Sequence, residues 1–160
     1  EVKEKVYQLG AGLQALGVKK GDNMALLSEG RNMWVIGELS MFYAGAVNVP
    51  LSIKLEESND LLFRLIHGDV KFIMVSGTQL KKIRLIKDKL TDVQKVIVFD
   101  EQDHYEDKEI SLAEVQKMGA TKQALELSFD SSNGPIEQLH DIDSHNNPFG
   151  CEQQIVSKFL

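Results

Sequence analysis

An α/β architecture is predicted for this sequence of 160 residues: a doubly wound, mostly parallel sheet of about four to five strands with helices on both faces. Two observations carry the prediction. Short runs of strand length recur at 24–28, 46–51, 71–76 and 95–100, and they are apolar almost throughout. Strands buried on both faces read that way, whereas a strand half-exposed in an antiparallel sheet alternates. Stretches of helical periodicity lie between these runs, and strand alternating with helix at such lengths is the pattern of parallel strands joined by right-handed crossovers.

Each element has its own signal. Val2, Val6, Leu9, Leu13 and Leu16 form one apolar stripe at spacings of three and four, a first helix that Gly17 stops. "MALLS" (24–28) is the first strand. Asn32 is the expected N-cap of the helix "MWVIGELSMFYAGA", which is apolar on most of its circumference and therefore expected to be buried. Gly45 can take the left-handed conformation that ends a helix, and the small residues Ala44, Gly45 and Ala46 allow a close exit into "AVNVPL" (46–51). Pro50 falls at the end of that strand, where a missing N–H does least harm. Leu55, Ser58, Leu61, Leu62, Leu65 and Ile66 define the next amphipathic helix, closed by Gly68 before "KFIMVS" (71–76). Leu80, Ile83, Ile86 or Lys87, and Leu90 continue as a third crossover helix ahead of "KVIVFD" (95–100). Beyond residue 100 comes an acidic loop, then a short helix, "ISLAEVQKMG", that Ser111 and Glu114 start as a capping box. Periodicity then fades. The expected division is a packed α/β unit at 1–119 and a weakly specified tail at 120–160.

Composition narrows the function. The net charge of −6 supplies no basic surface for nucleic acid, so no nucleic-acid partner is expected. The single cysteine, Cys151, has no internal disulfide partner and no metal-ligand companion, which points to a reducing, cytoplasmic setting. No apolar run is long enough to cross a bilayer, although membrane contact of another kind is left open. Glu1 opens inside a helical stripe without an initiator methionine, so the chain is expected to be part of a longer one.

Several residue clusters admit a chemical reading beside a plain one. His140, Asp141, Asp143 and His145 lie within six positions, either as metal ligands or as a solvated loop. Asp100, Glu101, Asp103, Glu106 and Asp107 offer oxygen ligands for calcium, but the central glycine of an ordered calcium loop is missing, and a solvated acidic face is the other reading. Asp100 also ends a strand, where a phosphoacceptor would stand, with only Glu29 as a companion carboxylate after the first strand. Trp34, Phe42 and Tyr43 line either an acyl pocket or a core. His67 sits at a helix end, as a partner of the helix dipole or as a catalyst.

The order "LGVKKGDNMALLSEGRNMWVIGELSMFYAGAVNVPLSIKLEESNDLLFRLIHGDVKFIMVS", followed by "KVIVFD", resembles the N-terminal region of AMP-forming acyl-CoA synthetases, especially long-chain fatty acid–CoA ligases. The likeness covers about residues 7–119. It implies that the chain is the N-terminal portion of a larger adenylate-forming domain, a scaffold from a protein that uses fatty acid, ATP, magnesium and coenzyme A. In such a ligase a carboxylate becomes an acyl-adenylate with release of pyrophosphate, and the acyl group then passes to the thiol of coenzyme A. The isolated chain is expected to be inactive and to bind none of these cofactors itself. A truncated, non-enzymatic α/β protein with a partner-binding or purely structural role is the alternative.

Family members carry a phosphate loop of the form "YTSGTTGxPKG", with "THxN" a few residues later. Here "SHNN" (144–147) resembles the later segment, and counting back places "SSNGPIEQLHDID" on the loop. Only Ser132 coincides with a motif residue of its own type. Gly134 and Pro135 replace the threonine pair and Leu139 the lysine. Pro135 has no N–H to donate, and Asp141 and Asp143 would repel phosphate. No catalytic, cofactor-binding or metal-binding residue is therefore carried over. A face left open where the sheet would continue is expected to expose apolar surface and to favour self-association.

Overall fold

The computed structural model describes residues 1–132. Five strands, β1 (Asn23–Leu27), β2 (Val47–Pro50), β3 (Val70–Val75), β4 (Lys95–Val98) and β5 (Glu109–Ser111), form one sheet in the order β2-β1-β3-β4-β5. Every pairing is parallel. Five α-helices accompany them: α1 (Val2–Leu16), α2 (Asn32–Ala44), α3 (Ser58–His67), α4 (Leu80–Arg84) and α5 (Leu112–Ser132).

The sheet is buried on both faces because successive side chains of a strand point opposite ways. Met24, Leu26, Phe72, Met74 and Ile97 meet α1, α2 and α5 in one core; Ala25, Leu27, Ile73, Val75, Val96 and Val98 meet α3 and α4 in the other. The apolar runs of the sequence are therefore strands between two helical layers.

Local chemistry sets the boundaries. Gly17 (φ 110) and Gly45 (φ 84) end α1 and α2 in the left-handed conformation. Pro50 ends β2, which among the described residues pairs only with β1, at the sheet's edge. Ser111 and Glu114 form the capping box: the Glu114 N–H donates to Ser111 Oγ (3.1 Å), and the Ser111 N–H donates to the Glu114 carboxylate (3.3 Å).

The structure departs from the sequence expectation at four places. The cap of α2 is Arg31, not Asn32; Arg31 has extended backbone, makes no side-chain cap, and sends its guanidinium to Asp100 instead. The helix expected over 80–90 is divided into α4 and a 3-10 turn at Lys87–Lys89, while Leu80, Ile83, Ile86 and Leu90 all remain buried. The strand β5 precedes the last helix. That helix is not short: α5 runs on to Ser132, since neither proline nor any glycine after Gly119 interrupts it before Gly134.

Backbone contact fixes α5 against α1. A Cβ on Gly119 would lie 1.7 Å from the Gln8 carbonyl oxygen, and one on Gly12 would lie 2.0 Å from that of Val115. Gly119 is the last buried position of α5 among those whose burial is described, though Lys122 Nζ still donates to Gln14 Oε1 (2.8 Å).

Candidate functional site

In a sheet of this order α2 leaves β1 toward one face and α4 leaves β3 toward the other. Neighbouring strands whose connections diverge in this way create the place, beyond their carboxyl ends, where open α/β sheets bind ligands. Three segments meet there: Ser28–Asn32 after β1, Ser76–Gln79 after β3, and Asp100–Gln102 after β4.

A charge-assisted clamp joins them. Arg31 Nη1 and Nη2 donate to Asp100 Oδ1 and Oδ2 at 2.9 and 2.7 Å, a two-pronged pair between residues 69 positions apart. The Gly77 N–H donates to the same carboxylate at 2.8 Å. A Cβ on Gly77 would stand 2.9 Å from Gln102 Nε2, the movable end of that side chain, and 3.1 Å from Asp100 Cβ, so the turn is closely packed. Gln102 Nε2 donates back to the Asp100 carbonyl (2.9 Å), closing the turn. The Arg31 guanidinium, with Gly77 assisting, holds the Asp100 carboxyl below its usual range against the opposing effect of burial.

A second link lies between β1 and β3. Gln79 Nε2 donates to Glu29 Oε1 at 2.6 Å, and this bond holds the Glu29 carboxyl low. Ser76 is fully buried and Gln79 nearly so, yet Ser76 Oγ, Gln79 Oε1 and Arg31 Nε have no hydrogen-bond partner among the described residues. The polar groups of this edge therefore bind mainly one another. Their arrangement fixes the relative positions of three loops.

The residues singled out from the sequence are dispersed. Asp100 is the clamp carboxylate, while Glu106 pairs with Arg84 and Lys87. No group of three or more His, Cys, Asp or Glu able to hold a metal ion occurs among the described residues. Trp34 and Tyr43 both pack on the first core but stand nine positions apart, about half a revolution around α2. Tyr43 meets the ring of Tyr7 at 5.2 Å, and Phe42 is 40% exposed. His67 stacks on Phe63 at 5.3 Å. Ser131 and Ser132, the first residues of the segment 131–147 compared with a phosphate loop, end α5, whereas 133–147, with the cluster at 140–145, and Cys151 lie outside the described residues. Arg31, Gln79 and Gly77 were missed by sequence reasoning, since only the fold brings them to Glu29 and Asp100.

Residues 1–143 match the model of the family described as AMP-binding enzyme. A 66-residue stretch, 40% of this chain and 13% of the relative, is 38% identical to a methyl-dioxo-octahydro-indenyl propanoyl:CoA ligase of Mycobacterium tuberculosis. Among solved structures, coronafacic acid ligase from Pectobacterium brasiliense superposes with a TM-score of 0.68 at 19% identity, over 72% of this chain and 23% of that one. A long-chain-fatty-acid–CoA ligase from Archaeoglobus fulgidus superposes with a TM-score of 0.66 at 22% identity, over 74% of this chain and 22% of that one. These structures share the fold, and the chain spans less than a quarter of the length of each.

Proposed function

Because the chain belongs to the AMP-binding enzyme family, we propose that it forms the N-terminal α/β scaffold of an ATP-dependent acid–CoA ligase acting on long-chain fatty acids. The observation that carries this reading is the coincidence of the family match, which runs from residue 1 through all five strands, with a carboxyl edge whose polar groups are committed to bracing loops. The quoted stretch from "GVKKGD" to "KVIVFD" supports the fatty-acid assignment within the family.

ATP, magnesium, coenzyme A and a fatty acid are the ligands of this proposal. The described residues of the carboxyl edge do not fit a triphosphate: two carboxylates, Glu29 and Asp100, face it, and Arg31 is already paired. We assign no reaction step to them. Their part is to hold the sheet's ligand-facing edge in one shape while chemistry is supplied by further sequence. A second reading, a non-enzymatic α/β protein, is favoured by one observation alone: Gly134, Pro135 and Leu139 stand where a phosphate loop would carry threonine and lysine.

The test is to capture the natural product from its source cell with an antibody against residues 1–119 and to measure AMP release with ATP, coenzyme A and acids of increasing chain length. Release that depends on coenzyme A and is fastest with long-chain acids is expected. Release only with short or aromatic acids would remove the chain-length assignment, and none with any acid would favour the second reading.

A further inference from the structure

The outward side of α3 combines an apolar centre with charge sorted along the helix. Leu61 and Leu65 fill the core, whereas Phe63 and Ile66 are 66% and 59% exposed. The Phe63 ring lies nearly parallel to that of His67, 5.3 Å away, so the two form a flat platform before anything touches them. Acid precedes this centre, at Glu57 and Asp60, and base follows it, at Arg64 and His67. All four are exposed, and none joins an ion pair among the described residues. Sorted opposite charge gives the face no net attraction to a membrane or a nucleic acid, but it matches the same face reversed. Strand addition at the sheet's edges is disfavoured. Pro50 leaves β2 without one of its N–H groups, and on β5 the N–H groups of Glu109 and Ser111 donate to the Glu106 carbonyl (3.0 Å) and the Glu114 carboxylate (3.3 Å).

We propose that this side of α3 is a dimer interface for a second copy of the chain, the two α3 helices packing antiparallel about a two-fold axis at Phe63. Such an axis brings the same patch of both copies together, Phe63 and its stacked His67 against their equivalents. Helical geometry then places the charges. At a rise of about 1.5 Å per residue, Asp60 lies about 4.5 Å before Phe63 and Arg64 about 1.5 Å after it, on the same flank. Antiparallel pairing therefore sets Asp60 within about 3 Å, measured along the helix, of the second copy's Arg64, twice per dimer. Parallel pairing would set Asp60 against Asp60. Antiparallel helices also bring opposite dipole ends together. With 10 residues α3 is about 15 Å long, so it buries less per copy than the roughly 800 Å² of a stable interface. The dimer is accordingly weak, forming at roughly 0.1 mM chain.

Sedimentation velocity of the 160-residue chain, from about 5 µM to about 500 µM, tests the proposal without any assay of activity. A monomer–dimer equilibrium is expected, weakened about ten-fold by Phe63→Ser, which removes the central aromatic contact. Asp60→Lys should weaken it about ten-fold as well, by setting like charge against Arg64 across the interface. Adding Arg64→Glu to Asp60→Lys should restore association to within about two-fold of wild type, because each pair is then reversed rather than broken. These positions are exposed, so an unchanged urea midpoint at about 5 µM shows that each variant remains folded. A chain that stays monomeric throughout, a dimer untouched by Phe63→Ser, or a double variant no tighter than Asp60→Lys alone would each overturn it.

Discussion

On one face of the sheet α1 and α5 meet backbone to backbone, through Gly12 against Val115 and Gly119 against Gln8. On the other, α3 and α4 are short, reach the sheet through Leu61, Leu65, Leu80 and Ile83, and turn Phe63, Ile66 and Leu85 outward. The first layer has no slack, because two helices in such contact cannot admit even a methyl group. The second keeps a core side and a free outer side. One sheet thus carries a layer that holds the fold together and a layer with surface left for contact.

The comparison breaks first at the glycines. Gly119→Ala is expected to cost about 3 kcal/mol, because the new carbon meets a backbone oxygen that only separation of the helices can relieve. A urea midpoint lowered at unchanged slope would show it. Gly12→Ala should act similarly, and the double variant should cost less than the sum, since one separation relieves both clashes. A smaller loss, about 1 kcal/mol, is expected for Ser111→Ala, which removes half of the capping box that starts α5.

The carboxyl edge sharpens the comparison through pH. Arg31 holds the Asp100 carboxyl below its ordinary value of 3.8. The pair therefore contributes its full stability above that value and loses it as pH falls through the lower folded value. Arg31→Ala should cost about 1 kcal/mol at neutral pH, as expected for a pair both of whose members are about a third exposed or more. Denaturation curves between pH 5 and about 2 should show less loss with acid for this variant than for wild type. The smallest effect belongs to the outer layer. Phe63→Ser and Leu85→Ser should each shift stability by less than about 0.5 kcal/mol, because neither side chain is in the core.

Much of the fold was legible because its signals are local. Leu27 and Val75 belong to runs that only a doubly covered sheet explains, and Gly17, Gly45 and the Ser111–Glu114 box act within a few residues of themselves. What was hidden depends on partners far apart in the chain. Arg31 meets Asp100 across 69 positions and Lys122 meets Gln14 across 108, so neither pair leaves a mark in periodicity. The strand β5 has three residues, too few for alternation to register, and it runs directly into the cap of α5. Of the candidate site, Asp100 and Glu29 were visible as carboxylates at strand ends. Their roles were not, because a carboxylate reads alike whether it faces solvent or an arginine.

Amide hydrogen exchange on the 160-residue chain tests most directly the claim that these residues are a self-supporting scaffold closed by α5 on α1. Protection of β1, β3, β4, α1 and the segment 112–119 at one common free energy, with the outer turns of α3 and α4 exchanging faster, is the predicted result. Rapid exchange throughout α5 while the sheet stays protected would contradict it, since the layer held by Gly12 and Gly119 would then not belong to the unit that folds.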